Sequence, residues 1–479
     1  MLDKTLRSGN RRRKALLLPL FTLAAFVGGG AATLLATPRA EATSRDASPY
    51  AAIAQLGRVL VEVENNYVEP VDRAKLVNGA IKGMVAELDP HSAYMPPQDF
   101  TVFQSDTEGK FAGVGVEVDA RGETLTVIAP IEGSPAERAG IKSGDHILTI
   151  DGADAVGQGL DKLVRKMRGA PGTHVKLMVK RDGAPQPLVF DLVREIIHVP
   201  SVASKMLEGD VAYIRIKQFQ EHTHDELVAA AGRLRAQAST HVEKRIVGVV
   251  LDLRSNPGGL VDEAAEVVDE FLSSGTIYTT RHRGEILDEV KARSGGAFSD
   301  VPIVALVNEY SASASELVAG ALQDHKRALI VGSRTFGKGS VQAIIGLPGG
   351  AGLRLTIARY YTPSGHAIQA DGVHPDIVIE STRVATQGYP ALRERDLEGA
   401  LPAEGLPQPD VETDAGAPAQ RDARDAGDAG AASPAEEADI MRSDARNVPT
   451  DPMKGSDFVL RMGWQIVRGS LSGRGPKVR

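Results

Sequence analysis

The chain contains no cysteine among its 479 residues. This absence excludes a thiol nucleophile, disulfide bridges and metal sites built on thiolates. It does not decide the compartment, because a protein of the cell envelope can also lack cysteine. The sequence also lacks an HExxH metal-binding motif, so nothing in it indicates a metalloprotease centre.

Excess positive charge is also missing. The 55 lysines and arginines are outnumbered by 62 acidic residues, and the formal net charge is −7. No long basic run occurs beyond the N-terminus, so we expect no nucleic-acid partner. Hydrophobic residues make up 42% of the chain, which is enough to build globular cores. The length suits two or three domains.

The N-terminus has the pattern of an export signal. A basic cluster at 11–14 precedes an apolar run over 15–36, and a small-residue sequence, Ala-Glu-Ala, follows at 40–42. Residues 1–42 are therefore predicted to be a cleaved signal peptide or an uncleaved membrane anchor, and both remain open. Either one exports the remainder to the periplasm or cell envelope, with the anchored form held at the inner membrane. A buried core helix is the less favoured alternative.

Two regions of different character follow. Residues 48–103 show helical periodicity, and Asp72 is placed to cap a second helix. Residues 104–197 change to short strands and glycine turns, with helical pieces at 135–139 and 160–167. This length predicts one small, strand-rich domain inserted in the chain.

Strands and helices alternate from 198 to 380. The runs at 211–216, 246–253 and 301–307 are almost entirely apolar, as expected for strands inside a buried sheet. After a helix that begins near Ser313, strands are predicted at 328–331, 340–347 and 353–360. We therefore expect an α/β core closed by antiparallel strands.

The C-terminal part separates into two segments. Residues 381–455 are rich in Ala, Asp, Glu, Pro and Gly with few large apolar side chains, so a disordered linker is predicted. Residues 456–479 contain an amphipathic helix. This helix could dock on a partner subunit, on a membrane or on its own domain.

Ser313 lies where a buried strand meets an apolar helix. A serine at that junction has its hydroxyl at the carboxyl edge of the sheet, beside free N–H groups that can stabilise an oxyanion. The alternative is structural, because Ser313 and Glu316 fit the S-x-x-E capping box. No histidine is an evident base. His325 lies about 18 Å along the same helix, and a Ser-His-Asp triad is neither indicated nor excluded.

Lys338 is the other candidate base. It lies between two glycines, which allow a close approach of the backbone to an active site. Lowering the pKa of a lysine from about 10.4 to about 7 costs roughly 4–5 kcal/mol, and burial can supply this. A solvated turn lysine is the alternative. Residues 332–339 are nearly a P-loop, but Gly339 replaces the Mg²⁺-binding Ser/Thr and a strand follows instead of a helix.

These segments together resemble a known family. The stretches at 311–324, 336–342, 359–365 and 372–376 are similar to the carboxyl-terminal processing peptidases. The resemblance extends over about residues 50–380 and includes the sequences at 89–92 and 251–259. The motifs are long, ordered and mutually spaced. The resemblance implies a crotonase/ClpP-like α/β protease core with an inserted PDZ-like domain and an N-terminal helical segment.

The resemblance also implies roles for particular residues. The nucleophile of the family corresponds to Ser313, its general base to Lys338, and the glutamine that orients the base to Gln342. Its oxyanion donors correspond to the N–H groups of Ala314 and Gly259; the second is assigned from the Pro-Gly-Gly turn. No metal or cofactor is expected. If Glu316 paired with Lys338, the pKa of the lysine would rise, and the capping box would avoid that conflict.

The strand-rich region resembles a PDZ domain, most clearly over 134–147. Its predicted carboxylate-binding loop is Gly113, Val114, Gly115 and Val116, whose N–H groups would hold the C-terminus of a peptide added as an extra strand. The alternative is a glycine hairpin with no ligand. Arg168 is a candidate to carry the docking signal to the core, and a solvated turn arginine is its alternative.

The sequence therefore predicts an exported serine endopeptidase that recognises C-terminal tails and cleaves through an acyl-enzyme. Its expected partners are polypeptides with free apolar C-termini, a second copy bound through the terminal helices, and an adaptor protein. The alternative function is a PDZ scaffold on the same fold that binds tails without cutting. The complete set of Ser313, Lys338 and Gln342 favours the enzyme.

Overall fold

The structure is a computed structural model that describes residues 49–121, 124–238, 245–379, 392–404 and 450–471. The predicted leader over 1–42 and much of the predicted linker lie outside the described residues. Within the described ranges, no helix is long and apolar enough to cross a membrane.

The secondary structure is numbered in chain order. The α-helices are α1 (Pro49–Asn66), α2 (Arg73–Ala86), α3 (Pro97–Thr107), α4 (Pro135–Arg138), α5 (Leu160–Met167), α6 (Thr223–Gln237), α7 (Val261–Asp269), α8 (Ala314–Asp324) and α9 (Phe458–Leu471). The strands are β1 (Ala93–Met95), β2 (Lys110–Gly113), β3 (Val116–Arg121), β4 (Thr124–Pro130), β5 (His146–Ile150), β6 (Ala153–Asp154), β7 (His174–Lys180), β8 (Leu188–Val193), β9 (Glu195–His198), β10 (Val202–Leu207), β11 (Val211–Ile216), β12 (Gly248–Asp252), β13 (Thr276–His282), β14 (Glu285–Lys291), β15 (Ile303–Val307), β16 (Ala328–Gly332), β17 (Ser340–Gly346), β18 (Gly352–Tyr361) and β19 (Ile377–Val378).

The chain divides into two compact units, and the first ends at Ala80. In this unit Asp72 caps α2, because its carboxylate accepts from the N–H of Ala74 at 2.8 Å. Arg73 pairs with Glu64 of α1 at 2.5 Å. The predicted apolar face of α1 is largely exposed, with Ile53 at 64%.

The second unit is built on a six-stranded sheet with the order β10-β11-β12-β15-β16-β19. All neighbours are parallel except the edge pair β10–β11, which is antiparallel. Every residue of β12 and β15 is buried, which explains their continuous apolar sequences. Helices α6, α7 and α8 contribute to the hydrophobic core on one face. Helix α9 packs on the other face.

A second, antiparallel sheet closes the core as predicted, but its membership differs from the prediction. It contains β1, β13, β14, β17 and β18. Strand β16 was expected among the closing strands and instead extends the parallel sheet beside β15. The hairpin β13–β14 was not predicted. Its two-residue turn, Arg283-Gly284, has positive φ at both positions, and an arginine there is an unusual signal for such a turn.

The inserted strand-rich domain has the sheet order β3-β4-β5-β7-β8, with β6 beside β5. The predicted helix at 160–167 has the same bounds in the structure. The paired strands β2 and β9 form the neck by which the chain enters and leaves the domain. A separate hydrophobic core fills it, including Leu125, Ile147 and Leu177.

The C-terminal part differs from the linker expected over 381–455. Residues 392–404 pack against the core: Glu394 is fully buried, and Arg393 donates to the carbonyl of Thr335 at 2.7 Å. The amphipathic helix α9 lies on its own domain, where Trp464 Nε1 donates to the Glu208 carbonyl at 3.0 Å. Arg254 also pairs with Asp457 just before α9, at 2.7 Å.

Candidate active site

Ser313 occupies a strained turn between β15 and α8. Its φ of 56° and ψ of −117° lie in a region that non-glycine residues rarely adopt. Strain of this kind persists only where the surroundings impose it, and it clusters at active sites. A sharp strand-to-helix turn is also how α/β-hydrolases present a nucleophilic serine.

The two neighbouring serines have structural partners. Ser311 Oγ donates to the carbonyl of Leu253 at 2.8 Å, and Ser315 Oγ donates to the carbonyl of Asn256 at 2.7 Å. Both bonds tie the Ser313 turn to the turn that follows β12. Among the three serines, Ser313 is the one whose hydroxyl donates to no backbone carbonyl of the described residues.

The turn after β12 contacts Ser313 directly. A Cβ built on Gly258 would lie 2.8 Å from Ser313 Cβ and 3.0 Å from the Ala314 nitrogen, so only glycine fits. The N–H of Gly258 donates to the Asn256 side chain at 2.8 Å. Among the described residues, the N–H groups of Gly259 and Ala314 have no hydrogen-bond partner. These are the two predicted oxyanion donors.

Glu316 joins the Ser313 turn to the loop of Lys338. One oxygen, Oε2, accepts from the N–H of Ser313 at 2.8 Å and from the N–H of Lys338 at 2.9 Å. The other, Oε1, accepts from Thr335 Oγ1 at 2.5 Å and from the N–H of Gly337 at 2.7 Å. Complete burial raises the pKa of Glu316 to about 7, and these hydrogen bonds oppose the rise.

The capping interaction predicted for Glu316 is therefore present, but it is only part of its role. The same carboxylate binds the backbone of the Lys338 loop, and its charge also raises the pKa of Lys338 somewhat. The S-x-x-E spacing identified the contact to Ser313. It gave no information on the second loop, which lies more than twenty residues further along the chain.

Burial dominates the electrostatics of Lys338. It lowers the pKa of the ammonium to about 8, with help from the positive charge of Arg354 and against the carboxylates of Glu394, Glu316 and Asp89. A lysine with this pKa is roughly half neutral at pH 8. Within the described residues, its Nζ makes no hydrogen bond to Ser313 or Gln342.

Gln342 contacts a hydroxyl cluster rather than the lysine. Its Nε2 donates to Ser340 Oγ at 2.8 Å and to Thr356 Oγ1 at 3.3 Å. Thr356 Oγ1 donates in turn to Asp89 at 3.2 Å, and Ser92 Oγ donates to the same carboxylate at 2.8 Å. The structure thus places Gln342 near the base loop without a direct bond to Lys338.

A second buried network supports the base loop from behind. The N–H of Gly339 donates to Gln369 Oε1 at 2.9 Å, and Gln369 Nε2 donates to Glu394 at 2.9 Å. Glu394 also contacts His91 Nε2 at 2.7 Å. Sequence reasoning missed Gln369 and Glu394. Only the resemblance at 89–92 pointed toward this region.

The predicted carboxylate-binding loop offers free donors. The N–H groups of Val114 and Gly115 have no hydrogen-bond partner in the part of the chain that the structure describes, although both residues are buried. Gly115 has φ of 77°, and a Cβ there would lie 2.2 Å from Ser134 Cβ. Buried N–H groups are normally satisfied, so unpaired ones need an explanation such as a bound acceptor.

Arg168 connects the inserted domain to α3. Its guanidinium lies 3.4 Å from the Asp106 carboxylate and 5.1 Å from the centre of the Phe111 ring. The C-terminal end of α3 is bonded to the core, because the N–H of Glu221 donates to the Thr107 carbonyl at 3.1 Å. The Arg168 side chain is nevertheless 33% exposed, and its role in signalling stays a prediction.

Three family models match the chain. The model of peptidase family S41 matches residues 210–379, and a PDZ domain model matches 126–181. The model of the activating protease CtpB N-terminal domain matches 32–98. A serine on a strained strand-to-helix turn, on an α/β core with an inserted PDZ domain, defines the class as a serine hydrolase.

Relatives identify the family. A carboxy-terminal-processing protease of Bartonella bacilliformis is 42% identical over 373 residues, which cover 77% of this chain and 85% of that protein. A carboxyl-terminal-processing protease of Synechocystis is 38% identical over 314 residues, covering 64% of this chain and 71% of that protein. The photosystem II D1 C-terminal processing protease is similar in structure, with 32% identity, a TM-score of 0.42, and coverage of 68% of this chain and 86% of that one. The chain belongs to the carboxyl-terminal processing serine proteases of peptidase family S41.

Proposed function

We propose that this chain is an exported endopeptidase that binds the C-terminal tail of a polypeptide in its PDZ domain and cleaves the chain with a Ser313–Lys338 dyad. The observation that carries the proposal is the bridge made by Glu316. A single carboxylate oxygen accepts from the backbone N–H groups of both Ser313 and Lys338. Two loops distant in sequence are thereby fixed side by side.

The chemistry follows from these positions. Ser313 Oγ attacks the scissile carbonyl while the neutral amine of Lys338 takes its proton. The N–H groups of Gly259 and Ala314 stabilise the oxyanion. Lys338 then returns the proton to the leaving amine, and water releases the acyl-enzyme. Apo geometry is often looser than the reacting geometry, which accommodates the missing bond between Lys338 and its two partners.

Electrostatics provides a test of the base. The reaction needs neutral Lys338, so the rate rises as the pH rises through the lysine pKa of about 8. Glu394→Gln removes a negative charge that raises this pKa, so the acid limb of kcat/KM should move to lower pH. Arg354→Gln removes a positive charge that lowers it, so the limb should move to higher pH. Below the midpoint, one pH unit of displacement changes the rate about ten-fold.

The measurement is kcat/KM from pH 5 to 10 for the wild type and both variants. Shifts in opposite directions identify a cationic base near both side chains. If all three midpoints coincide, Lys338 does not set the acid limb, whatever happens to the maximal rates.

Tail recognition is proposed for the Gly113–Val116 loop. The free N–H groups of Val114 and Gly115 suit a terminal carboxylate, and the adjacent strand β3 is an edge strand of its sheet, open to pairing. A shallow apolar pocket would read the last side chain, so tails ending in Ala, Val or Leu should be preferred. Amidation removes the charge that these donors recognise.

We expect the free-acid form of a tailed peptide to be cleaved at least about ten-fold faster in kcat/KM than its amide. Charge-assisted hydrogen bonds contribute roughly 1.5–3 kcal/mol each. The measurement is a matched pair of peptides that differ only at the terminus, assayed against the wild type. Equal kcat/KM values for the free-acid and amide peptides would contradict recognition of the C-terminal tail. They would not bear on the Ser313–Lys338 dyad.

Two glycine variants sharpen this test. Gly115→Ala should abolish the preference, because the new Cβ would collide with Ser134 and displace the loop. Gly140→Ala is the matched control, since Gly140 also has positive φ but opens to free space in the same domain. A variant at Gly140 that lost the preference equally would indicate general damage to the domain.

Arg168 is proposed to pass the docking signal to the core. Its partner Asp106 has a carbonyl that accepts from Gln220 Nε2 at 3.5 Å. The preceding residue, Phe219, donates its N–H to the Gly258 carbonyl at 2.9 Å and forms a β-bridge with Gly259. This series of contacts leads from the PDZ domain to the proposed oxyanion turn.

Location and partners complete the proposal. The basic and apolar N-terminal segment supports export to the periplasm or cell envelope, with anchoring at the inner membrane as one form. The exposed apolar face of α1 supports a homo-oligomer formed through this helix, and α9 is already engaged by its own domain. An adaptor protein remains a proposal from the family resemblance alone.

A further inference from the structure

Tyr360 contacts the loop that carries Lys338, the proposed base. It is the ninth residue of β18, and its side chain is almost completely buried, with 1% exposed. It belongs to the Arg-Tyr-Tyr sequence at 359–361, to which no chemical role was assigned. Its burial beside the loop of Lys338 therefore needs an explanation.

Both the backbone and the side chain of Tyr360 hold the base loop. Its N–H donates to the Gly339 carbonyl at 3.0 Å. Its hydroxyl donates to the Lys338 carbonyl in a short hydrogen bond. One residue thus fixes two consecutive carbonyls of the loop that carries the proposed base.

The environment of this hydroxyl keeps it protonated. Burial raises the pKa of Tyr360 well above its ordinary value. A phenol has one proton to donate and lone pairs to accept. The neutral phenol therefore keeps the proton that it donates to the Lys338 carbonyl.

We propose that the Tyr360 hydroxyl is a positioning group that fixes the backbone of Lys338 and so sets the position of the base relative to Ser313. The inference deepens the proposed function and rests on it. Tyr360 itself exchanges no proton with the substrate.

Loss of this hydroxyl should affect the chemical step rather than substrate binding. A displacement of about 1 Å between reacting groups can cost roughly 10²-fold in rate. A loosened loop also admits water to the ammonium. Because burial is the main reason that the Lys338 pKa is low, hydration of the amine should move the acid limb of the rate profile to higher pH.

The experiment compares Tyr360→Phe with Tyr361→Phe in the full-length protease. Tyr361 is the adjacent tyrosine on β18, but its hydroxyl donates to Glu404 and its ring faces Arg281, away from the dyad. We expect Tyr360→Phe to lower kcat by about 10- to 100-fold with KM within about two-fold of the wild type. The acid limb of its pH profile should lie at higher pH. Tyr361→Phe should match the wild type in kcat, in KM and in the position of the acid limb.

A second substitution distinguishes loss of the hydroxyl from a general loss of folding. 4-Aminophenylalanine at position 360 keeps the ring and restores an N–H donor toward the Lys338 carbonyl. It should recover most of the activity lost in Tyr360→Phe. An unchanged kcat in Tyr360→Phe, an unmoved acid limb, or no recovery with the amino analogue would each overturn the proposal.

The proposed function is tested separately by Ser313→Ala on the same substrate. If that variant still cleaves, the dyad itself is wrong. If it is inactive while Tyr360→Phe retains the wild-type kcat and pH profile, the dyad stands and the role of Tyr360 is rejected.

Discussion

Ser313→Ala should reduce peptide cleavage to background, a loss of roughly 10⁴-fold or more, as expected when the nucleophile of a serine protease is removed. The fold should survive. Alanine retains the Cβ, and Glu316 can still accept the backbone N–H at position 313. If the serine hydroxyl served only as a cap, its loss would cost about 1 kcal/mol and leave the rate unchanged.

The measurement combines cleavage of a denatured or tailed model protein with covalent labelling by a fluorophosphonate. Ser311→Ala and Ser315→Ala are matched controls, because each removes a hydroxyl that bonds a backbone carbonyl of the neighbouring turn. They should lose stability but keep both labelling and cleavage. Cleavage by Ser313→Ala at the wild-type rate would show that Ser313 is not the nucleophile.

The same experiment separates the enzyme from the scaffold alternative. A protein that only binds tails would retain tail binding and show no cleavage in the wild type either. The free N–H groups at Gly259 and Ala314 argue against this outcome, because a binder has no use for an oxyanion site beside a strained serine.

Local sequence signals predicted much of the fold. The apolar runs became the buried strands β12 and β15, and the helix at 160–167 was placed without error. Both signals depend on neighbouring residues in the chain. The pairing of β16 depends instead on which distant strand lies beside it. Its five residues look alike in a parallel or an antiparallel sheet.

In the candidate site, too, some features follow from local sequence patterns and others from contacts between distant segments. Ser313 and Lys338 became candidates because a strand-to-helix junction and a Gly-Lys-Gly loop are local patterns, and the family resemblance then implied their catalytic roles. The second function of Glu316 and the contacts of Tyr360 depend on loops brought together only by folding. Glu394 was missed for another reason. Composition assigned residues 381–455 to a linker, and composition averages over the short segment that packs on the core.

The role predicted for Gln342 comes from the family resemblance, and the structure shows that this side chain contacts other residues than Lys338. Its side chain bonds Ser340 and Thr356 within a cluster around the buried Asp89. A glutamine held in this way could orient Lys338 only after a rearrangement. Its contribution should therefore be smaller than that of the lysine.

Lys338→Met should be as inactive as Ser313→Ala. Methionine keeps the aliphatic packing of the loop and removes only the amine, so the backbone bond to Glu316 and the short bond from Tyr360 can remain. A histidine at this position should restore little activity, because its side chain is shorter. The double variant should be no slower than either single variant, since residues that act as one unit are not additive.

Lys326→Met is the matched control, because Lys326 is an exposed lysine two residues after α8, and it should retain full activity. EDTA and added nucleotide should leave the wild type unaffected, since the proposed base is an amine and the near-P-loop sequence at 332–339 leads into the strand β17. Activity of Lys338→Met above about a tenth of the wild type would reject the lysine as base. Additive losses in the double variant would mean that Ser313 and Lys338 do not act on the same proton. The dyad requires that they do, because the proton that leaves Ser313 Oγ must be the one that Lys338 later gives to the leaving amine.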